Sequence, residues 1–264
     1  MNKTGEEPIL SLPERHNRIL ALLQQFGSIS VAQLAERFKV SEVTIRKDLS
    51  YLEQQKKLYR THGSAILISP YISDRHVNEK EKRNVAEKRA IGAFAASLIA
   101  QDDSIIIASG TTVTFLAREI NPAGHLTAIT ASVPVTHILS QCPDVDVIQL
   151  GGITRSSSVS VVGPFAEQML RSFNCSKLFI GVDGIDTEFG LTTTNMLEAS
   201  LNGAMIDAAQ KVIVLADSSK FGRRGFSKIC DLESVDRIIT DSGVQSVYLD
   251  RLRERGIEVT VVDV

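Results

Sequence analysis

The spacing of the apolar residues divides the chain into two parts. In the first part, apolar residues recur every three or four positions over residues 19–26, 31–38 and 45–52, as on one face of an α-helix. From residue 91 onward, short β-branched runs alternate with helical segments instead. The pattern therefore predicts a small helical module followed by a larger α/β body.

Polar residues mark where the three predicted helices begin. Ser11 and Ser30 each precede a Glu or Gln by three residues, which is the spacing of a capping box. Ser41 is the expected N-cap of the third helix. The turn before it contains Lys39, which in a left-handed conformation would cost about 1–2 kcal/mol. Two short helices, a tight turn and a third helix predict a helix-turn-helix.

The third helix can be oriented from its sequence. If Ile45, Leu49 and Leu52 are buried, a rotation of about 100° per residue turns the opposite side and its flanks outward. The outward residues are Val43, Thr44, Arg46, Lys47, Ser50 and Tyr51. Cationic side chains bind guanine edges or phosphates, and an apolar side chain can contact a thymine methyl. Free N–H groups after Ser41 can bind a phosphate, so this helix is predicted to contact DNA.

Two predicted strands, residues 57–60 and 65–68, flank a turn that contains Gly63. Such a hairpin is a wing, whose Lys57, Arg60 and His62 can rest on the phosphate backbone and position the protein. The predicted DNA-binding domain spans residues 11–68. The alternative is a solvated bundle of amphipathic helices. Residues 69–89 carry dense charges of both signs and are predicted to be a linker, either a solvated helix or a lever that relays a signal.

The apolar runs of the second part are typical of buried strands. They lie at residues 105–107, 128–129, 145–148, 178–180, 212–215, 238–239 and 259–262. Predicted helices lie between several of them, at residues 113–120, 133–140, 164–173 and 197–209. Alternation of this kind predicts a parallel sheet with helices on both faces. The predicted sensor domain spans residues 90–264, and its ligand is expected at the carboxyl ends of the strands.

Polar residues follow four of these strands. Ser109, Gly110, Thr111 and Thr112 form either an anion cradle at a helix N-terminus or an ordinary strand-to-helix turn. The other three strand ends contribute Gly151, Gly152, Arg155, Asp183, Gly184, Asp217 and Lys220. Hydroxyls, carboxylates and cations together predict a site for a small molecule that carries a phosphate and hydroxyls. The first turn has no P-loop lysine, which disfavours ATP and GTP.

The composition supports this division. A chain of 264 residues with 43% apolar residues can form one large or two ordinary domains with a full core. Residues 1–68 carry ten Lys or Arg and seven Asp or Glu, whereas the rest carries nineteen and twenty-four. A basic module joined to an acidic body fits nucleic-acid binding at one end.

Several features indicate a cytoplasmic protein. Cys142, Cys175 and Cys230 show neither a disulfide framework nor a metal-binding spacing. Residues 90–100 are too short an apolar stretch to span a bilayer, and no secretory signal is evident. No metal and no cofactor are predicted.

Two sets of sequence motifs resemble the DeoR family of bacterial sugar-metabolism repressors. The first set comprises residues 41–49, Ser-Glu-Val-Thr-Ile-Arg-Lys-Asp-Leu, and residues 60–63, Arg-Thr-His-Gly. The second comprises residues 109–112, 151–152, 181–186 and 217–220, in the order and spacing of that family's sensor domain. The resemblance covers about residues 12–264. It implies a sensor similar in fold to ribose-5-phosphate isomerase, with a phosphorylated sugar bound at these loops.

Three details refine the resemblance. Asp48 lies at the edge of the buried side of the third helix, so we expect it to be a structural partner for a nearby cation. Ala108 stands where the family usually has an Asp, and Ser64 where it often has a Gly.

The sequence thus predicts a repressor of a carbohydrate-utilisation operon, relieved by a sugar phosphate. Its expected partners are double-stranded operator DNA, the sugar phosphate and further copies of the chain in a homodimer or tetramer. An activator would use the same helix-turn-helix chemistry. An isomerase-like enzyme could use Asp183, Asp186, Glu198 and Lys220. Fusion to a DNA-binding module favours sensing, because turnover would destroy the signal.

Overall fold

The structure is a computed structural model that describes residues 11–26, 28–55, 57–61, 63–67 and 76–264. It separates into two compact units, one up to residue 71 and one from residue 72. Gly27, expected to end the first helix, and His62 of the wing lie outside the described residues. The same holds for residues 68–75, which include the end of the predicted wing and the start of the predicted linker.

The described part of the N-terminal unit combines helices with a small antiparallel sheet. Its elements are α1 (Leu12–Phe26), β1 (Ser28–Ser30), α2 (Val31–Phe38), α3 (Glu42–Gln54), β2 (Leu58–Thr61) and β3 (Ser64–Leu67). The sheet has the order β1-β3-β2. The three helices and the β2–β3 wing are as predicted. Strand β1 was not predicted, because three residues are too few to show a period.

The helix caps explain where these elements begin and end. Ser30 and Gln33 form the predicted reciprocal capping box of α2, and Ser11 bonds to Glu14 at the start of α1. Lys39 has φ 53° and ψ 42°, the left-handed conformation expected in the turn. Ile45 is fully buried between the helices. The helix-turn-helix prediction is therefore confirmed at the level of its individual turns.

Asp48 is buried in this unit beside Arg15 and His16. Arg15 donates two hydrogen bonds to its carboxylate, at 2.6 and 3.0 Å, and His16 Nε2 lies 3.2 Å from Oδ1. The hydrogen bond to Asp48 raises the pKa of Arg15 against the effect of burial. The expected structural role of Asp48 is confirmed: it joins α3 to α1.

The second unit is built around a seven-stranded sheet. Its elements before the sheet's fourth strand are α4 (Val77–Glu81), α5 (Val85–Ala96), β4 (Ser104–Ile107), α6 (Thr111–Glu119), β5 (Leu126–Thr130), α7 (Val133–Leu139), β6 (Val145–Gln149), β7 (Ile153–Arg155), β8 (Ser160–Val162) and α8 (Pro164–Leu170). The remainder are β9 (Lys177–Gly181), β10 (Gly184–Asp186), β11 (Gly190–Thr193), α9 (Met196–Asp207), β12 (Val212–Leu215), β13 (Ser227–Cys230), β14 (Arg237–Asp241), α10 (Ser246–Glu254) and β15 (Glu258–Val262).

The sheet has the order β15-β14-β12-β9-β4-β5-β6, and every adjacent pair is parallel. Its strands coincide with the seven predicted apolar runs. Successive residues point to opposite faces, so Ile106 packs into one core and Ile105 and Ile107 into the other. Helices α5, α6 and α7 cover the face of Ile105, and α8, α9 and α10 cover the face of Ile106. The predicted fold class is confirmed.

Residues 76–89, which fall within the predicted linker, are part of this unit. Lys88 on α5 is 3% exposed, and Nζ donates hydrogen bonds to the carbonyls of Lys80 and Arg83. Asn84 donates to Asp217 at 2.8 Å. The sequence alone did not show these contacts, because the Asp217 partner of Asn84 lies far away in the chain and Lys88 bonds to backbone carbonyls.

Candidate DNA interface and effector cleft

The outward face of α3 is an open, partly apolar groove. Ser41 caps the helix, and its Oγ accepts a hydrogen bond from the Thr44 N–H at 3.2 Å. Val43 and Tyr51 are 58% and 51% exposed. The groove is lined by Val43, Arg46, Lys47, Ser50, Tyr51 and Gln54. The structure thus brings most of the predicted contact residues together and adds Gln54, which lies one helical turn beyond Ser50 and was not predicted.

The polar groups of this face are differently engaged. Arg46 pairs with Glu42, one turn earlier on the helix, at 2.6 Å, and the Ser50 hydroxyl donates to the Arg46 carbonyl at 2.8 Å. Lys47 is exposed and has no ion-pair partner within the part of the chain that the structure describes. It is therefore the cation most readily available to a base edge or a phosphate.

Arg60 of the wing is bound to α3. Its backbone N–H donates to Glu53 Oε1 at 3.0 Å, and its Nε lies 3.5 Å from Glu53 Oε2. Its guanidinium also makes a close contact with the Ser50 hydroxyl. Arg60 thus joins the wing to the helix, a role that sequence reasoning did not assign to it.

A cleft opens in the second unit where β4 and β9 end. It is lined by Val77, Lys80, Ser109, Gly110, Thr111, Thr112, Ser157, Ser158, Gly181, Val182, Asp183, Thr193, Glu198, Asn202 and Lys220. Six of the eleven predicted effector residues are in this set. Lys80, Ser157, Ser158, Thr193 and Asn202 were not predicted, because no local pattern shows that distant segments supply them. Glu198 was considered only as a possible catalytic group.

One wall of the cleft is the start of α6. Gly110 precedes the helix with φ 131°, a conformation that favours glycine. Within the described part of the chain, no side chain caps this N-terminus. Its first N–H groups are therefore available, beside the hydroxyls of Thr111 and Thr112. This arrangement suits an anion.

Charged groups face each other across the cleft. Lys80 Nζ donates to Asp183 Oδ1 at 2.8 Å, and Lys220 Nζ lies 4.0 Å from the same oxygen. Burial alone would raise the pKa of Asp183, but Lys80, Lys220 and a hydrogen bond from Thr193 outweigh it and lower that pKa. Burial lowers the pKa of Lys220. The Asp183 carboxylate thus keeps two lysines in the cleft, where a bound phosphate could also interact with them.

Arg155 lies behind another wall of the cleft. Its guanidinium pairs with Glu198 at 2.6 Å and donates to Ser157 Oγ at 2.8 Å. The side chains of Arg155 and Glu198 are 12% and 11% exposed. Arg155 therefore supports the cleft from outside its lining, although the sequence analysis had placed it among the effector-binding residues.

The remaining predicted residues have structural positions near the site. Gly151 and Gly152 form the turn between β6 and β7, and a Cβ on Gly152 would lie 2.8 Å from the Val162 carbonyl. Gly184, the first residue of β10, pairs with Thr192 of β11. Asp217 is buried and accepts hydrogen bonds from Asn84 and the Ser219 N–H. None of these four is among the described residues that line the cleft.

The described residues show neither a metal-binding cluster nor a membrane-spanning helix. Among the described residues, no group of three or more His, Cys, Asp or Glu side chains is arranged to hold a metal ion. No helix within the described ranges is long and apolar enough to cross a membrane.

Both units match known protein families. Residues 15–71 match the DeoR-like helix-turn-helix domain, and residues 83–242 match the DeoR C-terminal sensor domain. An uncharacterised HTH-type transcriptional regulator, YulB of Bacillus subtilis, is 39% identical over 94% of this chain and 96% of its own length. A putative aga operon transcriptional repressor of Escherichia coli O157:H7 is 37% identical over 98% and 97%.

A further repressor and one solved structure are also similar to this chain. The HTH-type transcriptional repressor GlcR of Bacillus subtilis is 34% identical over 95% of this chain and 96% of its own. The crystal structure of ribose 5-phosphate isomerase A from Neisseria gonorrhoeae is 17% identical, with a TM-score of 0.36 over 52% of this chain and 53% of that one.

Proposed function

The chain belongs to the DeoR family of helix-turn-helix transcriptional regulators, and on this premise we propose that it represses a carbohydrate-utilisation operon until a phosphorylated sugar binds its second unit. Like its close relatives, it is a DNA-binding regulator and not an enzyme. We assign residues 11–68 to a DNA-binding domain. We assign the described segment from residue 76 to the sensor, because α4 and α5 pack within that unit.

The outward face of α3 supports the DNA-binding part of this proposal. It combines Lys47, which has no ion-pair partner among the described residues, with exposed Val43 and Tyr51. Ser50 lies on the same face, and Ser41 caps the N-terminus of the helix. Such a surface can read base edges in a major groove while the wing lies along the backbone. We expect two or more copies to bind repeated half-sites, since such modules usually act as symmetric oligomers. The protein would act in the cytoplasm, where the operator is.

The effector part rests chiefly on one observation: the N-terminus of α6, which has no side-chain cap among the described residues, lines the same cleft as Lys80, Asp183 and Lys220. N–H groups and lysines bind a phosphate, and the hydroxyls and carboxylates that remain can bind sugar hydroxyls. Binding could release DNA only if the sugar phosphate has unequal affinity for the DNA-competent and DNA-incompetent states.

The proposal can be tested with purified full-length protein. Operator affinity would be measured by fluorescence anisotropy with glucose 6-phosphate, galactose 6-phosphate, ribose 5-phosphate and glucosamine 6-phosphate, and with the free sugars as controls. We expect at least one phosphate ester, and no free sugar, to weaken operator binding and to raise the melting temperature. Unchanged operator affinity with every compound would contradict the proposal.

A paired substitution locates the phosphate. Thr111→Val removes a hydroxyl at the α6 N-terminus with little change of shape, and we expect it to reduce the response without weakening operator binding. Thr114→Val is the matched control, because the Thr114 hydroxyl donates to the Gly110 carbonyl at 2.9 Å and does not line the cleft. Equal responses in both variants would place the phosphate elsewhere.

A further inference from the structure

The turn between β7 and β8 has an unusual backbone. This turn comprises residues 156–159 and is called the serine turn below. Val159 has φ 48°, in the left-handed region that β-branched residues rarely occupy. Strained residues of this kind persist only where the surroundings hold them, and they cluster at functional sites. The neighbours of the serine turn must therefore hold it in this conformation.

Contacts from three directions hold the serine turn. Arg155 donates to Ser157 Oγ at 2.8 Å and to Ser158 Oγ at 3.4 Å, and Glu198 anchors the same guanidinium from α9. The Val159 carbonyl accepts a hydrogen bond from the Val133 N–H at the start of α7, at 3.1 Å. The strained turn is thus fixed by α7, by α9 and by its own hairpin.

The serine turn makes contacts through both its side chains and its backbone. Ser157 and Ser158 line the cleft, so their side chains can reach a molecule bound there. The Ser157 carbonyl accepts a hydrogen bond from the N–H of Val77, which also lines the cleft, at 2.7 Å. Val77 is the first residue of α4, which is the first described helix after the DNA-binding unit in the chain. One residue therefore contacts both the cleft and the start of the sensor.

Helix α4 needs such external contacts to keep its position. It has five residues, and isolated helices of that length are not stable in water. At its N-terminus, the Val77 N–H donates to the Ser157 carbonyl and His76 Nδ1 caps the helix, and further along Lys80 bonds to Asp183. A shift of the serine turn would therefore shift the start of α4.

We propose that the serine turn is the response element of the cleft: the hydroxyls of Ser157 and Ser158 bind the effector, and the Ser157 carbonyl passes that contact to Val77 and α4. The inference deepens the proposed function and rests on it. Ser157 Oγ now accepts from Arg155, and a sugar hydroxyl or phosphate oxygen that bonds to Ser157 or Ser158 favours one arrangement of the turn over the other. Arg155 and Glu198 are positioning residues, because they fix the turn from behind the lining.

Substitution of Val77 can remove the link without breaking the helix. Val77→Pro lacks the N–H that donates to Ser157. Proline is tolerated at the first position of a helix, and His76 has φ −54° and ψ 140°, which suits a residue before proline. Val77→Ala is the matched control, because it loses the side chain and keeps the N–H.

The test uses full-length protein with glucose 6-phosphate, galactose 6-phosphate, ribose 5-phosphate and inorganic phosphate. Operator affinity and melting temperature would be measured with and without each compound. Both variants change the Val77 side chain, which lines the cleft, so Val77→Pro is compared with Val77→Ala. We expect the two variants to show equal thermal shifts, while the change in operator affinity of Val77→Pro falls at least three-fold below that of Val77→Ala. Equal changes in operator affinity in the two variants overturn the proposal.

The serine hydroxyls are tested separately. Ser157→Ala and Ser158→Ala should each weaken the effector's binding several-fold with operator affinity unchanged, whereas Ser156→Ala, at an exposed position of the same turn, should have no effect. Equal affinity in all three variants overturns the assignment of the hydroxyls. A wild-type protein that shows neither a thermal shift nor an operator response contradicts the proposed function as well, which separates the two failures.

Discussion

Asp48 shows how a residue within the recognition helix can serve stability instead of recognition. Its carboxylate is 4% exposed and is held by Arg15 and His16. Removing one partner of a buried ion pair leaves the other charge uncompensated, at a cost of about 3–5 kcal/mol.

We therefore expect Asp48→Asn to lower the free energy of unfolding of the N-terminal unit by about 3 kcal/mol, as measured by urea unfolding. Glu42→Gln is the control, because it breaks an exposed pair on the same helix and should cost less than about 1 kcal/mol. Similar losses in the two variants would show that the Asp48 cluster adds no special stability.

Arg60 lies on the wing, which is predicted to contact DNA, but its charge is already paired within the protein. Glu53 and Ser50 hold it, so we expect Arg60→Ala to weaken operator binding by loosening the wing, with the same dependence on salt as wild type. Lys57→Ala, on the same hairpin, is the comparison. If Lys57 contacts a phosphate, its loss should reduce the slope of log K against log salt by about 0.9.

Operator affinity would be titrated at several salt concentrations between about 50 and 200 mM, and the slope of log K against log salt would show the loss of a single phosphate contact. A reduced slope in Arg60→Ala would mean that Arg60 leaves Glu53 and binds phosphate in the complex.

At the scale of elements, α5 carries a buried cation that makes stability depend on pH. Burial lowers the pKa of Lys88 from 10.5 to about 8, although Asp217 opposes the shift. Between these values the folded chain binds fewer protons than the unfolded chain, so the contribution of Lys88 to stability rises with pH. Below about pH 8 the full cost of burying the charge is present.

We expect the stability of wild type relative to Lys88→Met to rise by up to about 3 kcal/mol between pH 7 and pH 10. The two unfolding free energies would be compared at each pH, so that groups common to both proteins cancel. The same substitution at exposed Lys82 should show no such trend. A constant difference between wild type and Lys88→Met would mean that Lys88 stays protonated throughout.

The elements that could be predicted from sequence are those with a period of their own. Strand β4 could be recognised from its run of β-branched residues, which are apolar because both faces of the strand are buried. Helix α2 could be recognised because Ser30 marks its N-cap. The three-residue strands β7 and β10 have too few residues for a period to show. The same holds for the residues of the cleft. Thr111 and Lys220 could be predicted because they follow recognisable strands, whereas Lys80 could not, because it lies more than a hundred positions from its partner Asp183.

For the whole molecule, the distribution of charge indicates which part of the chain binds DNA. The first 68 residues have a formal charge of +3 and the remainder −5. Only the first module would attract a polyanion, and the body would repel it. The sugar phosphate is also an anion, so two mechanisms of release must be distinguished. It can act through the cleft, or it can compete with DNA for the cations of α3.

Linkage gives the test. If the effector binds at the cleft and weakens operator affinity ten-fold, about 1.4 kcal/mol, then saturating operator must weaken effector affinity by the same factor. We expect calorimetric titrations of the effector into free protein and into the protein–operator complex to differ by that ratio.

The shape of the response separates the mechanisms further. With two sites, the apparent operator Kd rises with effector concentration and reaches a plateau, because both ligands can be bound at once. With competition for one surface, it rises without limit. A plateau that Thr111→Val shifts to higher effector concentration would assign release to the cleft, and a plateau-free rise that this substitution leaves unchanged would assign it to the recognition helix.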